Sequence, residues 1–247
     1  MLRWWKLSLL YPSSSSIVSE CLKQQLTLEA AYNVTPCLPS PWGSYDPGQI
    51  GSTPSQPSWH EKLDIYDMNR QPIGSATAWE AQTTCLWHRT VYVIPHLSDG
   101  RLLFQRRAAW KWRMGGLWDV GLSETVELSE ALPAAAQRAV QEELGQNAQL
   151  HLHECCRIST GWSGSTPHMQ VCQADHNVLY RAMMSDEKVD FGERDAEVDT
   201  LEYWTIDEYQ RRADEDLFHF APWVHALILG CSDCFRLTPA MLDTVEL

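Results

Sequence analysis

Ala134 to Leu144 is a run of strong helix formers, and this helix constrains the fold of the chain more than any other segment. Ser129 is placed to cap it, Pro133 is tolerated in a first helical turn, and Gly145 stops it. Charged residues stand on and before it at fixed intervals: Glu124, then Glu130, Arg138, Glu142 and Glu143. Positions 139, 142 and 143 share one face of an α-helix, so side chains there can converge on one ligand.

The segments around the helix read as strands. Lys62 to Asp67 alternates, Asn69 to Gly74 turns, Thr90 to Pro95 is β-branched and aromatic, and Ser98-Asp-Gly100 closes a hairpin onto Arg101 to Arg106. Further strands are expected at about 149–158 and 170–184 and from Leu201 to Thr205, before a last helix from Pro222 to Leu229. Strands, a helix, more strands and a closing helix indicate an α/β domain with a mixed sheet between helices. The domain is expected to span 59–230. Residues 1–58 form a Ser- and Pro-rich extension with one short helix from Ile17 to Tyr32, and 231–247 form a tail.

A formal net charge of −13 opposes a nucleic-acid or anionic-membrane partner, so a polyanionic ligand would need a local basic pocket or a metal ion. Twelve Trp offer flat apolar area that suits an apolar ligand as well as a core. Eight Cys without a regular framework read as reduced thiols. Cys231-Ser-Asp-Cys234 has metal or redox spacing but no second pair at a matching distance, and vicinal Cys155-Cys156 reads as strand-end packing. No apolar run approaches the ~20 residues of a membrane span. A cytoplasmic location is expected, with two basic residues and a Ser run before Glu20 leaving an organelle presequence open.

The spacing Glu124-x5-Glu130-x7-Arg138-Ala139-Val140-x-Glu142-Glu143-x-Gly145 resembles the signature of the Nudix family, Gly-x5-Glu-x7-Arg-Glu-apolar-x-Glu-Glu-x-Gly. From Lys62 to Leu229 the chain also resembles the isopentenyl diphosphate isomerase branch of that family, through Leu63-Asp-Ile-Tyr-Asp, Cys85-Leu-Trp-His-Arg-Thr, Leu103-Phe-Gln-Arg-Arg-Ala, Gly116-Leu-Trp-Asp and Phe220-Ala-Pro-Trp. The resemblance implies a Nudix α/β/α sandwich handling a diphosphate-bearing small molecule with an apolar part, and a homodimer is admitted. It implies Mg²⁺ on Glu130, Glu142, Glu143 and His88, diphosphate contacts from Arg107 and Lys111, and Trp223, with help from Trp118 or Trp110, against an apolar or cationic part of the substrate. Arg138 would pin the loop through a carboxylate. Glu197 or Asp175 would polarise water, with Glu142 and Glu143 also counted as catalytic and Ser123 beside the substrate.

The chain departs from the family pattern at several of these places. Ala139 replaces a catalytic Glu, so Ala139→Glu would restore a third carboxylate to the metal face. Ser123 replaces an acid-base Cys, Ala81 and Thr125 replace histidines, and Asp175 and Asn177 replace glutamates. Each carried-over residue has a plainer role too: His88 as a satisfied strand histidine, Arg107 as a clamp on a carboxylate, Trp223 as a cap on the core. Three functions therefore compete: metal-assisted hydrolysis of a prenyl or nucleoside diphosphate, acid-base isomerisation or cyclisation of an apolar metabolite, and ligand binding without catalysis. Hydrolysis ranks first because Arg107, Lys111 and the Glu pair describe a diphosphate-metal site.

Overall fold

The computed structural model describes residues 60–111, 113–165, 170–184 and 196–237. The expected N-terminal extension with its short helix, most of the acidic stretch from Asp186 to Asp199 and the end of the tail lie outside the described residues. Nine strands are described: β1 (Lys62–Tyr66), β2 (Pro72–Thr77), β3 (His88–Leu97), β4 (Leu102–Arg107), β5 (Trp118–Val120), β6 (Leu122–Thr125), β7 (His153–Ser165), β8 (Gln170–Met184) and β9 (Val198–Trp204). The helices are α1 (Ala78–Thr84), α2 (Leu132–Glu143), α3 (Ile206–Glu215) and α4 (Pro222–Gly230).

β1 and β2 form an antiparallel ribbon; the other strands form one mixed sheet in which β3 runs parallel to β8 and antiparallel to β6. The hairpin expected at Ser98-Asp-Gly100 joins β3 to β4, with Gly100 at φ 88°. Alternation along β3 sorts the core into two layers. Val91 and Val93 point to one side, where α2 covers them with Ala135, Ala136, Ala139 and Val140. Tyr92 and Ile94 point to the other, where α3 and α4 bring Tyr209, Val224 and Leu227. This is the expected α/β/α sandwich.

Two details of α2 correct the sequence reading. Its N-cap is Ala131, without a side-chain cap; Ser129 adopts φ 63° and donates its N–H to Asp64 Oδ2 at 2.9 Å. The small Ala at 139 is fully buried in the apolar layer. A Glu there would bury its carboxylate among Val91, Val93 and Leu122.

α1 was not expected, yet Thr77-Ala-Trp-Glu80 carries a capping box: Thr77 Oγ1 accepts from Glu80 N, and a Glu80 side-chain oxygen accepts from Thr77 N. The cysteines also depart from the reduced state expected. Cys85–Cys172, Cys155–Cys234 and Cys156–Cys231 are disulfides with Cα separations of 5.0, 5.7 and 5.9 Å. Neighbours on a regular strand point to opposite faces, but the pairing register of β7 shifts between Glu154 and Cys156. That bulge lets both vicinal cysteines meet the Cys231–Cys234 turn, the pair for which no partner was foreseen. The domain accordingly runs past the expected boundary at 230, since Cys231, Cys234 and Phe235 are buried in the core. No helix among the described residues is long and apolar enough to cross a membrane.

Candidate functional site

A cavity of about 300 Å³ opens between the sheet, α1, the loop after β4 and the face of α2 that carries Arg138 and Glu142. Of the residues singled out from sequence, Arg107, Lys111, Ser123, Glu142, Glu197 and Trp223 line it, as do Trp110 and Thr125. Glu130, Glu143, Asp175, His88 and Trp118 are absent from its wall.

One end is cationic. Arg107, only 6% exposed, places Nη1 3.3 Å from Asp119 Oδ2 and stacks its guanidinium over the Trp223 ring, 5.5 Å from the centroid. Trp223 Nε1 donates to the other Asp119 oxygen at 2.9 Å. Burial pushes the Asp119 carboxyl up, and the Arg107 charge beside it works in the opposite direction. Lys111 forms an ion pair with Glu197. That contact is built by the backbone, where Ala108 N donates to the Glu197 carbonyl at 2.8 Å and Trp110 Nε1 to the Ala196 carbonyl at 3.3 Å. The loop turns back so tightly at Gly115 that a Cβ there would stand 2.6 Å from the Ala109 and Lys111 carbonyl oxygens. Arg113, missed by sequence reasoning, is the third cation; burial and the neighbouring Arg107 lower its pKa to about 10, so it stays charged at neutral pH. The signal was present in the spacing of Arg107, Lys111 and Arg113 ahead of Gly115-Gly116.

The opposite end is acidic. Glu61, Glu124, Glu127 and Glu142 line it, together with Arg138. Arg138 binds Glu130 at 3.1 and 2.9 Å and approaches Glu124, Glu142 and Glu127 at 3.5, 3.6 and 3.8 Å. Burial opposes the charge of Glu130, yet the Arg138 hydrogen bond and the Glu127 N–H hold its pKa below the ordinary value. The expected pinning of the loop by Arg138 is thus what the geometry displays. Burial, then the nearby charges of Glu124 and Glu127, raise the pKa of Glu61.

The four expected metal ligands do not meet. Glu143 is 4% exposed, and its Oε2 accepts from Ser123 N at 2.7 Å and Gln105 Nε2 at 3.0 Å. Burial pushes its pKa up to about 8, with Lys111 acting against that rise. His88 Nδ1 is engaged by the Leu86 carbonyl at 2.9 Å, and Nε2 stands 3.0 Å from Asp175 Oδ1 without hydrogen-bond geometry. Only Glu142 faces the cavity. Among the described residues no three or more His, Cys, Asp or Glu stand in a metal-holding group. Mg²⁺ needs no such cage, because it commonly takes one or two carboxylates and completes its shell with substrate phosphates and water. Glu142 with Glu61, Glu124 and Glu127 offers oxygen donors of that type.

Residues 86–224 match the NUDIX domain family. Over 90 residues the chain is 37% identical to an isopentenyl-diphosphate Delta-isomerase of Burkholderia multivorans, covering 36% of this chain and 51% of that protein. Over 85 residues it is 33% identical to the uncharacterized Nudix hydrolase YfcD of Escherichia coli, covering 34% and 47%. The chain thus spans about half the length of the curated relatives it matches. The crystal structure of DR0079 from Deinococcus radiodurans superposes with a TM-score of 0.55 at 20% identity, over 69% of this chain and 99% of that one, a likeness of fold alone. With its family match spanning more than half of the sequence, the chain belongs to the NUDIX domain family.

Proposed function

We propose that this chain hydrolyses a diphosphate-bearing small molecule in the cavity between the Arg107–Lys111–Arg113 end and the Glu142 end. The clustering of Arg107, Lys111 and Arg113 at one end of the cavity, in a chain of net charge −13, carries the reading. Those cations attract a polyanion to that end, while the five Glu that also line the cavity call for a metal ion to offset them.

Arg107 and Arg113 hold phosphate oxygens through charge-assisted hydrogen bonds, and Asp119 with Trp223 keeps Arg107 aimed at them. Lys111 exchanges Glu197 for a phosphate oxygen, which frees the Glu197 carboxylate to take a proton from attacking water. Mg²⁺ held by Glu142 with Glu61, Glu124 or Glu127 would neutralise further phosphate charge. Glu143 orders the wall from behind, through Ser123 and Gln105. The isomerase or cyclase alternative asks Trp223 to offer its π face to a carbocation, but Arg107 already stacks on that ring, which favours hydrolysis.

The test is phosphate or diphosphate release from a panel of prenyl, nucleoside and sugar diphosphates with Mg²⁺, by wild type and Lys111→Ala. Release by wild type, with KM raised about ten- to a hundredfold in the variant, is the expected result. Tight binding without turnover would favour a non-catalytic protein.

A further inference from the structure

The floor of the cavity is a row of hydroxyls. Across the β3–β6 pair, Thr90 stands opposite Thr125 and Tyr92 opposite Ser123. Directly opposed residues share a face of an antiparallel pair, and positions 90 and 92 share a face of β3, so all four side chains project to one side. All four line the cavity.

Their hydroxyl oxygens have no hydrogen-bond partner among the described residues, and none of them is sealed from water. Thr90 and Tyr92 are only 6% and 2% exposed, so what remains open of them opens into the cavity. Tyr209, a phenol buried in the core on the side of the sheet that Tyr92 faces, is instead partnered with His225 Nδ1 at 2.6 Å. Buried hydroxyls are ordinarily paired, and here the protein leaves that pairing to whatever fills the cavity.

The floor joins the two charged ends. Tyr92 lies within the fields of Arg107 and Arg113, while the Thr125 carbonyl accepts from Arg138 at 2.8 Å. A diphosphate bridging the cations and a metal at the acidic end would lie over these hydroxyls. Burial, then the charges of Asp119 and Asp175, push the Tyr92 phenol up, which keeps it a donor at neutral pH. Phosphate oxygens accept, and a hydroxyl donor to a charged oxygen adds affinity without adding charge to the cavity.

We propose that the hydroxyls of Thr90, Tyr92, Ser123 and Thr125 form a diphosphate-binding floor that donates to the phosphate oxygens between the two ends. The proposal rests on the diphosphate reading of the cavity and extends it to four uncharged side chains.

Pyrophosphate binding with Mg²⁺ present, read through the fluorescence of the lining residues Trp110 and Trp223, tests it in wild type, Tyr92→Phe, Thr90→Val and Ser123→Ala. Each substitution removes one hydroxyl and keeps the charge of the cavity. Wild type is expected to bind, and Tyr92→Phe to bind about tenfold or more weaker at a nearly unchanged melting temperature of the unliganded protein. Because no cation is lost, the salt dependence of binding is expected to match that of wild type. Binding within about twofold of wild type in all three variants overturns the floor and leaves the diphosphate reading standing. Weaker binding with a flattened salt dependence assigns the loss to a displaced Arg107 or Arg113 and overturns the direct contact. Failure of pyrophosphate to bind wild type overturns both claims. Ser123 is half-buried, so Ser123→Ala decides among these outcomes should either core variant melt early.

Discussion

Glu143→Gln separates a structural acid from a metal ligand. Glu143 is buried, its Oε2 accepts from Gln105 and Ser123, and its pKa is about 8 against an ordinary 4.5. The folded protein holds this proton more tightly than the unfolded chain does. Stability from this group is therefore fully present below about pH 4.5 and is lost as pH rises toward 8. At pH 7 that loss is a destabilisation on the order of 3 kcal/mol. Gln matches the protonated acid in shape, keeps one oxygen for both donors and does not titrate. Urea unfolding of the two proteins should therefore give nearly equal stabilities at pH 4.5, with the variant ahead by about 3 kcal/mol at pH 7. Parallel stabilities across that range would refute the buried, protonated state of Glu143. Loss of Mg²⁺ binding in the variant would restore it as a ligand.

The remaining predictions concern the core and the cysteines. Ala139→Glu should destabilise the fold by about 3 kcal/mol or more, because the carboxylate enters the Val91, Val93 and Leu122 layer without a partner. Calorimetry showing tighter Mg²⁺ at unchanged melting temperature would contradict this. Cys156→Ser opens a bridge whose ends the adjacent Cys155–Cys234 bridge still tethers, so only a loop of about five residues is released and the cost on the loop-closure model is about 2 kcal/mol. Chemical denaturation without reductant measures it, and equal stability would mean that the bridge does not form in solution.

Much of the fold is legible in the sequence, for identifiable reasons. β-branched alternation, the Ser98-Asp-Gly100 turn and the Ala-rich run before Gly145 each encode local geometry, and each appears where expected. The Thr77/Glu80 capping box is equally local, but the seven-residue α1 that it starts is too short to carry a helical period in the sequence. The cysteine pairs were not legible, since their meeting depends on a bulge in β7 and on where α4 ends. Motif spacing placed Glu142, Glu143 and Glu130 together along the chain, but burial decided their roles. Glu143 faces Gln105 and Ser123, Glu130 faces Arg138, and Glu142 alone reaches the cavity. Arg107 lines the cavity and also clamps a carboxylate, the plainer of its two expected roles, because Asp119 lies directly behind it.

Turnover in water enriched in ¹⁸O tests the central claim most directly. A diphosphate that the enzyme consumes should yield organic and phosphate products that together carry one ¹⁸O atom per cleavage, because the oxygen of the attacking water enters the broken P–O–P or C–O–P linkage. An organic product that retains the mass of its substrate and carries no ¹⁸O would contradict hydrolysis and assign the cavity to isomerisation or cyclisation.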